Sequence, residues 1–472
     1  MASNFRKHMV DTLFDFSSFL DRQAIVSDNG EAMTYHQLQE QSDKIQLHLQ
    51  DKKLAFCLCT NRVASVAGYV ALMQKRVATV LLDAKKDQDL MRNLLAIYQP
   101  NYIWAPAGTV PGAVLYEYQD YTLYEYSKAD IDINPELALL LTTSGSTGSP
   151  KLVRLSQKNL KSNAESIAEY LHIDEHERPV TSLPMYYSYG MSVINSHFIK
   201  GATLLMTEMA VMQREFWDFV KQERATSIAG VPYTYEILRR FRFMQKDLPD
   251  MKTMIQAGGK LNVDIAKIYI DWAKEQGKQF IVMYGQTEAA PRMSYLPFEQ
   301  AQEKYASIGI AIPGGRFSLM DGEGNEITGA NIDGELVYYG DNVCLGYATM
   351  PADLALGDEN HGVLHTGDVA RRDGDGYYYI TGRMNRFVKV WGNRVNLDAV
   401  EQLVKPISSD CAVTGVDDKI TVFITDESLA QQVRNYLKEK TGLNVQAFDV
   451  KTIMEIPKKS SGKTDYKALA AI

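Results

Sequence analysis

An apolar run, Leu137 to Leu141, opens into a loop with four hydroxyl residues, Thr143, Ser144, Ser146 and Thr147, spaced by Gly145 and Gly148 and followed by Lys151. Glycines let successive backbone N–H groups turn toward one point, hydroxyls add donors, and a lysine adds a compact charge. Together these suit the oxygens of a polyphosphate, with Thr143 first in line to touch them. The loop is not a Walker A motif, which feeds directly into a helix; here Lys151 leads into Leu-Val-Arg-Leu, which reads as a second strand. A solvated hairpin turn would use the same residue types, so the loop alone does not decide.

Other segments add chemistry. Tyr284-Gly285-Gln286-Thr287-Glu288 follows an expected strand, where α/β proteins place ligand contacts, and Glu288 suits Mg²⁺, a hard cation that takes one or two carboxylates beside phosphate oxygens. Gly258-Gly259-Lys260 also follows a strand and leaves room for a flat ring against backbone. Asp368, in His365-Thr-Gly-Asp368, is placed to accept from both hydroxyls of a ribose, and Arg383 offers a guanidinium. Pro457 to Lys463 is a second glycine-containing basic loop. Each has a plainer alternative: a turn, a surface charge or a frayed tail.

The elements positioning these residues alternate between apolar runs and amphipathic stretches, an α/β signature. The expected order is helix 34–50, strand 54–58, helix 63–74, strand 77–82, helix 87–98 and strand 102–104. After the loop come helix 157–171, strand 202–206, helix 212–222, strand 228–231, helix 233–240, strand 253–257, helix 263–276 and strand 279–283. From about Ser307 short strands with Gly-rich turns predict a β-rich subdomain. A small α+β unit follows, with helices 398–404 and 429–440 and strands at 412–416, 420–425 and near Phe448. The expectation is a large N-terminal domain, 1–383, and a small mobile C-terminal domain, 384–472.

At 472 residues the chain exceeds one hydrophobic core. A net charge of −8 without a Lys/Arg block argues against nucleic acid and anionic membranes as partners. No run approaches the roughly 20 apolar residues of a membrane span, and the N-terminus has no signal core. Of Cys57, Cys59, Cys344 and Cys411 only the first two are close, and two thiols with no histidine or further cysteine nearby make a poor metal site; all four fit buried reduced thiols, so a cytoplasmic location is expected.

Taken in order, these segments resemble the adenylate-forming superfamily of acyl-CoA synthetases, luciferases, carrier-protein ligases and peptide-synthetase adenylation domains. Thr143 to Lys151 is similar to its phosphate loop, Tyr284 to Glu288 to its adenine-and-magnesium motif, and Thr366-Gly-Asp368 to its ribose motif. Gly334-Glu-Leu and Leu345-Gly-Tyr347 match the segment before the ribose aspartate, and Gly382-Arg383 the hinge entry. Lys389 to Arg394 resembles the loop of the second half-reaction, and Pro457 to Lys463 the catalytic-lysine motif. The matches run along nearly the whole chain. The resemblance implies ATP and Mg²⁺ use, with AMP and pyrophosphate as products, and activation of a small carboxylic acid for transfer to the thiol of CoA or an acyl carrier protein. It makes Lys463, Glu288, Thr143 and Lys389 the catalytic set, with Lys463 bridging carboxylate and α-phosphate. Asp368 and Arg383 would hold the ribose, and Tyr284 with Gly258-Gly259 the adenine.

Pro184 to Gly190 is similar to the aromatic gating motif, with Tyr187 where histidine is usual. Amino-acid-activating members carry an aspartate that aligns with Gly190, and no acid occurs between Leu183 and Thr207. A buried ammonium without a partner is costly, so the expected acid lacks an α-amino group. Tyr187, Tyr189, Gly190 and Tyr233 are the candidate acid contacts; Tyr186, Phe198 and Tyr235 either join them or belong to the core. Asn385 and Asn396 stand where the family has Asp or Lys at the hinge and Glu beyond it. The compact length leans toward a carrier protein as acceptor. A D-alanine–carrier protein ligase and a catalytically retired nucleotide-binding regulator are the alternatives.

Overall fold

The computed structural model describes residues 12–85, 88–142, 151–390, 393–416, 418–459 and 464–472. They form a mixed α/β fold in two compact units. The first comprises residues 1–305, 311–316 and 339–364, the second residues 306–310, 317–338 and 365–472.

The first unit is built on two sheets. One contains Gly346–Ala348, Leu152–Ser156, Leu137–Thr142, Ala78–Asp83, Leu54–Cys59, Tyr102–Pro106, Tyr121–Glu125 and Ala113–Tyr118, in that spatial order. Its centre is parallel, Leu54–Cys59 lying between Ala78–Asp83 and Tyr102–Pro106. Leu137–Thr142 joins in parallel and Leu152–Ser156 returns antiparallel, so the expected strand–loop–strand unit is present. Both faces of Leu54–Cys59 are buried, which is why it reads as continuous apolar sequence. Helix Val63–Gln74 is buried on nearly every side. It approaches so closely that a Cβ on Gly68 would lie 2.1 Å from the Trp104 indole nitrogen, whose N–H donates to the Ala64 carbonyl at 3.0 Å.

The other sheet runs Ile310–Ala311, Arg292–Tyr295, Gln279–Gly285, Thr253–Gln256, Ser227–Gly230, Pro179–Val180, Leu204–Met206, Gln23–Ser27 and Ala32–Thr34. From Gln279–Gly285 to Gln23–Ser27 neighbours are parallel, and Arg292–Tyr295 is antiparallel to Gln279–Gly285. The parallel register brings the chain after Val180, Gly230, Gln256 and Gly285 to a single edge. Helices match their expected spans within a few residues where amphipathic. Helix Gln157–Tyr170 starts at a Ser156/Asn159 capping box and Tyr35–Gln46 at a Thr34/Gln37 box. The latter stops at Gln46, short of the expected Gln50, although Leu49 beyond it is still buried in the core. Helix Ser188–Phe198 was not anticipated: every residue in it is buried, so it carries no amphipathic period.

The second unit carries most of the β-rich segment, where Arg316–Met320, Gly334–Tyr339, Val363–Arg372 and Tyr378–Arg383 lie side by side in that order in one sheet. It also holds the hairpin Phe387–Val390/Asn393–Asn396 and a sheet of Cys411–Val416, Lys419–Ile424 and Phe448–Thr452. Helices Leu397–Val404 and Ala430–Thr441 pack on the last sheet through Val400, Val404, Val433 and Leu437. Among the described residues no helix is long and apolar enough to cross a membrane.

Candidate active site

Strand Gln279–Gly285 delivers Tyr284 and Gly285 to the sheet edge, and a 3₁₀ turn, Thr287–Ala289, presents Glu288. Gly285 is required there, since a Cβ would lie 1.9 Å from the Pro291 carbonyl oxygen. The backbone beyond Glu288 is clamped. Asn342 donates to the carbonyls of Ala289 and Arg292 at 2.7 and 2.9 Å, and Asn163 to Arg292 at 2.8 Å. The Tyr347 hydroxyl donates to Glu288 Oε1 at 3.0 Å, while Lys151 Nζ lies 3.3 Å from the centre of the Tyr347 ring. One tyrosine thus ties the lysine closing the hydroxyl-rich loop to the carboxylate of the second motif. Burial, then the Glu288 charge, pushes the Tyr347 hydroxyl well above its usual range, so it stays a donor.

Tyr347 is itself held by a residue that sequence reasoning passed over. Arg154, fully buried, donates to the carbonyls of Tyr347 at 3.0 Å, Leu345 at 3.2 Å and Leu356, and pairs with Glu359. The signal was available: a charge inside the apolar strand Leu152–Ser156 needs buried acceptors.

At the same edge Gly258 has φ +83°, and a Cβ there would meet the Tyr187 hydroxyl at 2.7 Å. Gln256 donates to the Gly259 carbonyl at 3.0 Å, fixing the turn, and Lys260 is exposed. Ser188 and Thr287 hydroxyls are 3.1 Å apart, joining the start of helix Ser188–Phe198 to the Gln286-Thr287-Glu288 turn. Gln286 reaches the Tyr284 hydroxyl at 3.3 Å. Of the candidate acid contacts, Tyr187 is half-buried; Tyr189 is buried with its hydroxyl donating to the Ile255 carbonyl at 2.8 Å. A Cβ on Gly190 would lie 2.1 Å from the Pro184 carbonyl oxygen. Tyr233 is largely exposed. Phe198 packs against Phe14, Phe16 and Tyr35 in the core, and Tyr235 is buried between Tyr269 and Phe280.

In the second unit Asp368 and Arg383 face each other across paired strands, Arg383 Nε 2.9 Å from Asp368 Oδ1, with the aspartate almost fully buried. Thr366 steadies the turn: its hydroxyl donates to the Leu336 carbonyl at 2.6 Å and accepts from Asp368 N at 3.1 Å. Asn396 accepts from the backbone N–H groups of Asp398 and Ala399, capping helix Leu397–Val404, and donates to the Thr381 carbonyl at 3.2 Å. A Cβ on Gly382 would sit 2.0 Å from its amide nitrogen. Arg386 binds Asp398 at 2.5 Å and Glu401 at 3.3 Å, and Tyr466 donates to Glu401 at 2.9 Å. Asn385 lies in the 3₁₀ turn Met384–Arg386. Lys389 pairs in backbone register with Arg394. Its side chain, Trp391, Gly392, Lys463 and the loop residues Thr143, Ser144, Gly145, Ser146, Thr147 and Gly148 lie outside the described residues.

Parallel strands that bring glycine turns and a glutamate to one sheet edge are the build of an α/β ligand-binding enzyme. The chain belongs to the AMP-binding enzyme family, whose model matches residues 16–348. It is 31% identical over 289 residues to a feruloyl-CoA synthase of Amycolatopsis, covering 60% of this chain and 57% of that protein. It is 30% identical over 383 residues to a long-chain-fatty-acid–CoA ligase of Escherichia coli O157:H7, covering 76% and 66%. The chain thus spans a little over half to two thirds of these relatives. Its fold is similar to that of O-succinylbenzoate–CoA synthetase (MenE) of Bacillus subtilis in complex with AMP (TM-score 0.76, 20% identity, 94% of each chain). It is also similar to ATP-bound MatB of Rhodopseudomonas palustris (TM-score 0.77, 19% identity, 97% and 98%).

Proposed function

We propose that this protein is an ATP-dependent acid–thiol ligase. The carboxylate of a small acid attacks the α-phosphorus of ATP, the bond to the β-phosphate breaks, and acyl-adenylate and pyrophosphate result. A thiolate then displaces AMP to give a thioester. The observation that carries the reading is the Tyr347 contact, which ties Lys151, at the end of the phosphate-type loop, to Glu288. Among the described residues no three His, Cys, Asp or Glu side chains gather as a metal cluster. Mg²⁺ that takes phosphate oxygens and water needs only the one carboxylate that Glu288 offers. The loop that ends at Lys151 covers the β- and γ-phosphates, and negative charge building on the α-phosphorus oxygens is met by Lys463.

From the sequence motifs, Lys463 is the lysine of the first step, Asp368 and Arg383 the ribose contacts, and Lys389 part of the loop serving the second. The segment 384–472 moves as a domain between the two steps, with Asn385 as the hinge. The thiol is that of CoA, which the relatives' names favour, or of a carrier protein's phosphopantetheine, and the setting is cytoplasmic.

Acid-dependent ATP–pyrophosphate exchange tests the reading. A signal with one class of acid, lost by roughly 10²- to 10³-fold in Lys463→Ala while ATP binding persists, is expected. Exchange with no acid in a broad panel, ATP still bound, would leave a catalytically retired regulator.

A further inference from the structure

Arg292 is about 1% exposed, yet among the described residues no carboxylate lies within ion-pair distance of it. Both of its side-chain hydrogen bonds leave from Nη1, to the Met283 sulfur at 2.7 Å and the Tyr170 hydroxyl at 3.4 Å. Nε is buried with no partner. The guanidinium carbon sits 4.3 Å from the centre of the Tyr189 ring. A thioether, a long hydroxyl contact and a ring face are poor substitutes for an anion, because an arginine fork carries five N–H donors and stays charged. Desolvating such a charge without a counter-ion is costly in a way folds rarely leave uncorrected.

The position is as telling as the missing partner. Arg292 pairs in register with Gly285, directly across from the start of the Gln286-Thr287-Glu288 turn. Its backbone is pinned by Asn163 and Asn342. The ring it lies over, Tyr189, touches Tyr187 edge-on at 6.2 Å, and the Tyr187 hydroxyl faces Gly258. The Arg292 charge is felt at the hydroxyls of Tyr170, Tyr187 and Tyr189, opposing the upward push of their burial. His197, the one buried imidazole among the described residues, is kept neutral by burial and so adds no second charge beside Arg292. An uncompensated positive charge therefore stands beside the aromatic segment assigned to the acid.

We infer that Arg292 is a specificity residue whose counter-ion is the substrate: the acid carries a second carboxylate, held by the Arg292 fork while the first is activated. This rests on the ligase reading above. Arginine matches a planar carboxylate with two parallel hydrogen bonds, and the orphaned Nε is a donor still free for one of them. The same charge repels an ammonium, which gives the absence of an α-amino group a second, electrostatic cause.

The test is ATP–pyrophosphate exchange with matched series of mono- and dicarboxylic acids of equal chain length, using the wild-type chain, Arg292→Lys and Arg292→Met. The wild type is expected to prefer dicarboxylates. Arg292→Met should lower the dicarboxylate-to-monocarboxylate ratio of kcat/KM by about 10²-fold, the loss typical of removing one partner of a buried charge pair. Arg292→Lys should fall between the two. Thermal melting separates this from a packing role: Arg292→Met, which replaces a lone buried charge with an apolar chain, should melt no lower than wild type. A wild type that prefers monocarboxylates, a ratio unmoved in Arg292→Met, or equal loss on both series would overturn the inference while leaving the ligase reading intact. Exchange with no acid at all would overturn the ligase reading, and this inference with it.

Discussion

The Tyr347 hydroxyl donates to Glu288 Oε1 at 3.0 Å across 59 residues of sequence, while the same ring carries the Lys151 ammonium on its face. The two contacts are separable by mutation. Tyr347→Phe removes the hydroxyl and keeps the ring, leaving Glu288 free to swing. A hydrogen bond to a charged acceptor is worth about 1.5–3 kcal/mol, so kcat/KM for Mg–ATP should fall roughly 10- to 100-fold. The Mg²⁺ concentration for half-maximal rate should rise, with melting little changed. Tyr347→Ala also loses the Lys151 contact and should be worse by up to about 1 kcal/mol, the value of a cation–π pair at a solvated site. A Mg²⁺ titration of Tyr347→Phe superimposable on wild type would remove Tyr347 from the site.

Arg154 makes a second, more structural prediction. Its partner Glu359 is about half exposed, so the ion pair itself is screened and contributes little. The cost of Arg154→Met lies in the carbonyls of Leu345, Tyr347 and Leu356, which lose their donor in a buried place. About 3 kcal/mol of stability should go. Activity should fall further than Tyr347→Phe alone, because the segment carrying Tyr347 loosens. Denaturant unfolding and exchange kinetics on the same sample check both halves; unchanged stability would show that those carbonyls find other donors.

What was legible beforehand follows from how each element is buried. Helices Val263–Glu275 and Ala430–Thr441 have one wet face and show their period, so they were readable to within a residue or two. Helix Ser188–Phe198 has no wet face and hides its period, although it carries three of the candidate acid contacts or their neighbours, Ser188, Tyr189 and Gly190. The motifs were visible because glycine, hydroxyl and charge at short spacing survive as patterns. The residues holding them in place were not. Asn163 and Asn342 act on backbone carbonyls from distant segments, and a single asparagine announces nothing. Asn396 looked like a departure from the family; its cap on Leu397–Val404 and its close approach to Gly382 give it work that only three dimensions reveal. Arg154 and Arg292 are both buried arginines on strands, and the sequence could not tell that one has a carboxylate while the other has none among the described residues.

Gly190 ties specificity to packing. A Cβ at this position would stand 2.1 Å from the Pro184 carbonyl oxygen and 2.8 Å from its carbon, both backbone atoms that cannot rotate away. Gly190→Ala should therefore cost at least about 2 kcal/mol by overpacking, seen as a lower denaturant midpoint. Gly190→Asp should not create D-alanine activation, because the turn Pro184–Tyr187 would shift before the carboxylate could serve an ammonium. A stable Gly190→Asp variant that exchanges pyrophosphate with D-alanine would show that the turn yields more easily than its backbone contacts imply.

His197 sets a limit on acid stability. It is fully buried in helix Ser188–Phe198, with Nδ1 2.7 Å from the Val193 carbonyl, so Nδ1 carries the proton of the neutral ring. Burial lowers its pKa to about 4, the Val193 carbonyl pulling the other way and the Arg292 charge adding to the fall. In the unfolded chain the ring regains an ordinary value near 6.5, so between pH 6.5 and about 4 the unfolded state binds the extra proton. Stability from the neutral buried ring is thus complete above pH 6.5 and is lost on acidification through that window. Going from pH 7 to pH 5 should remove about 2 kcal/mol through this residue alone. His197→Gln cannot take up that proton. It should be less stable than wild type at pH 7, where the Nδ1 contact to Val193 is disturbed, yet show a shallower decline to pH 5 in urea unfolding. Parallel stability–pH curves for the two proteins would mean that His197 is protonated, or solvated, in the folded state.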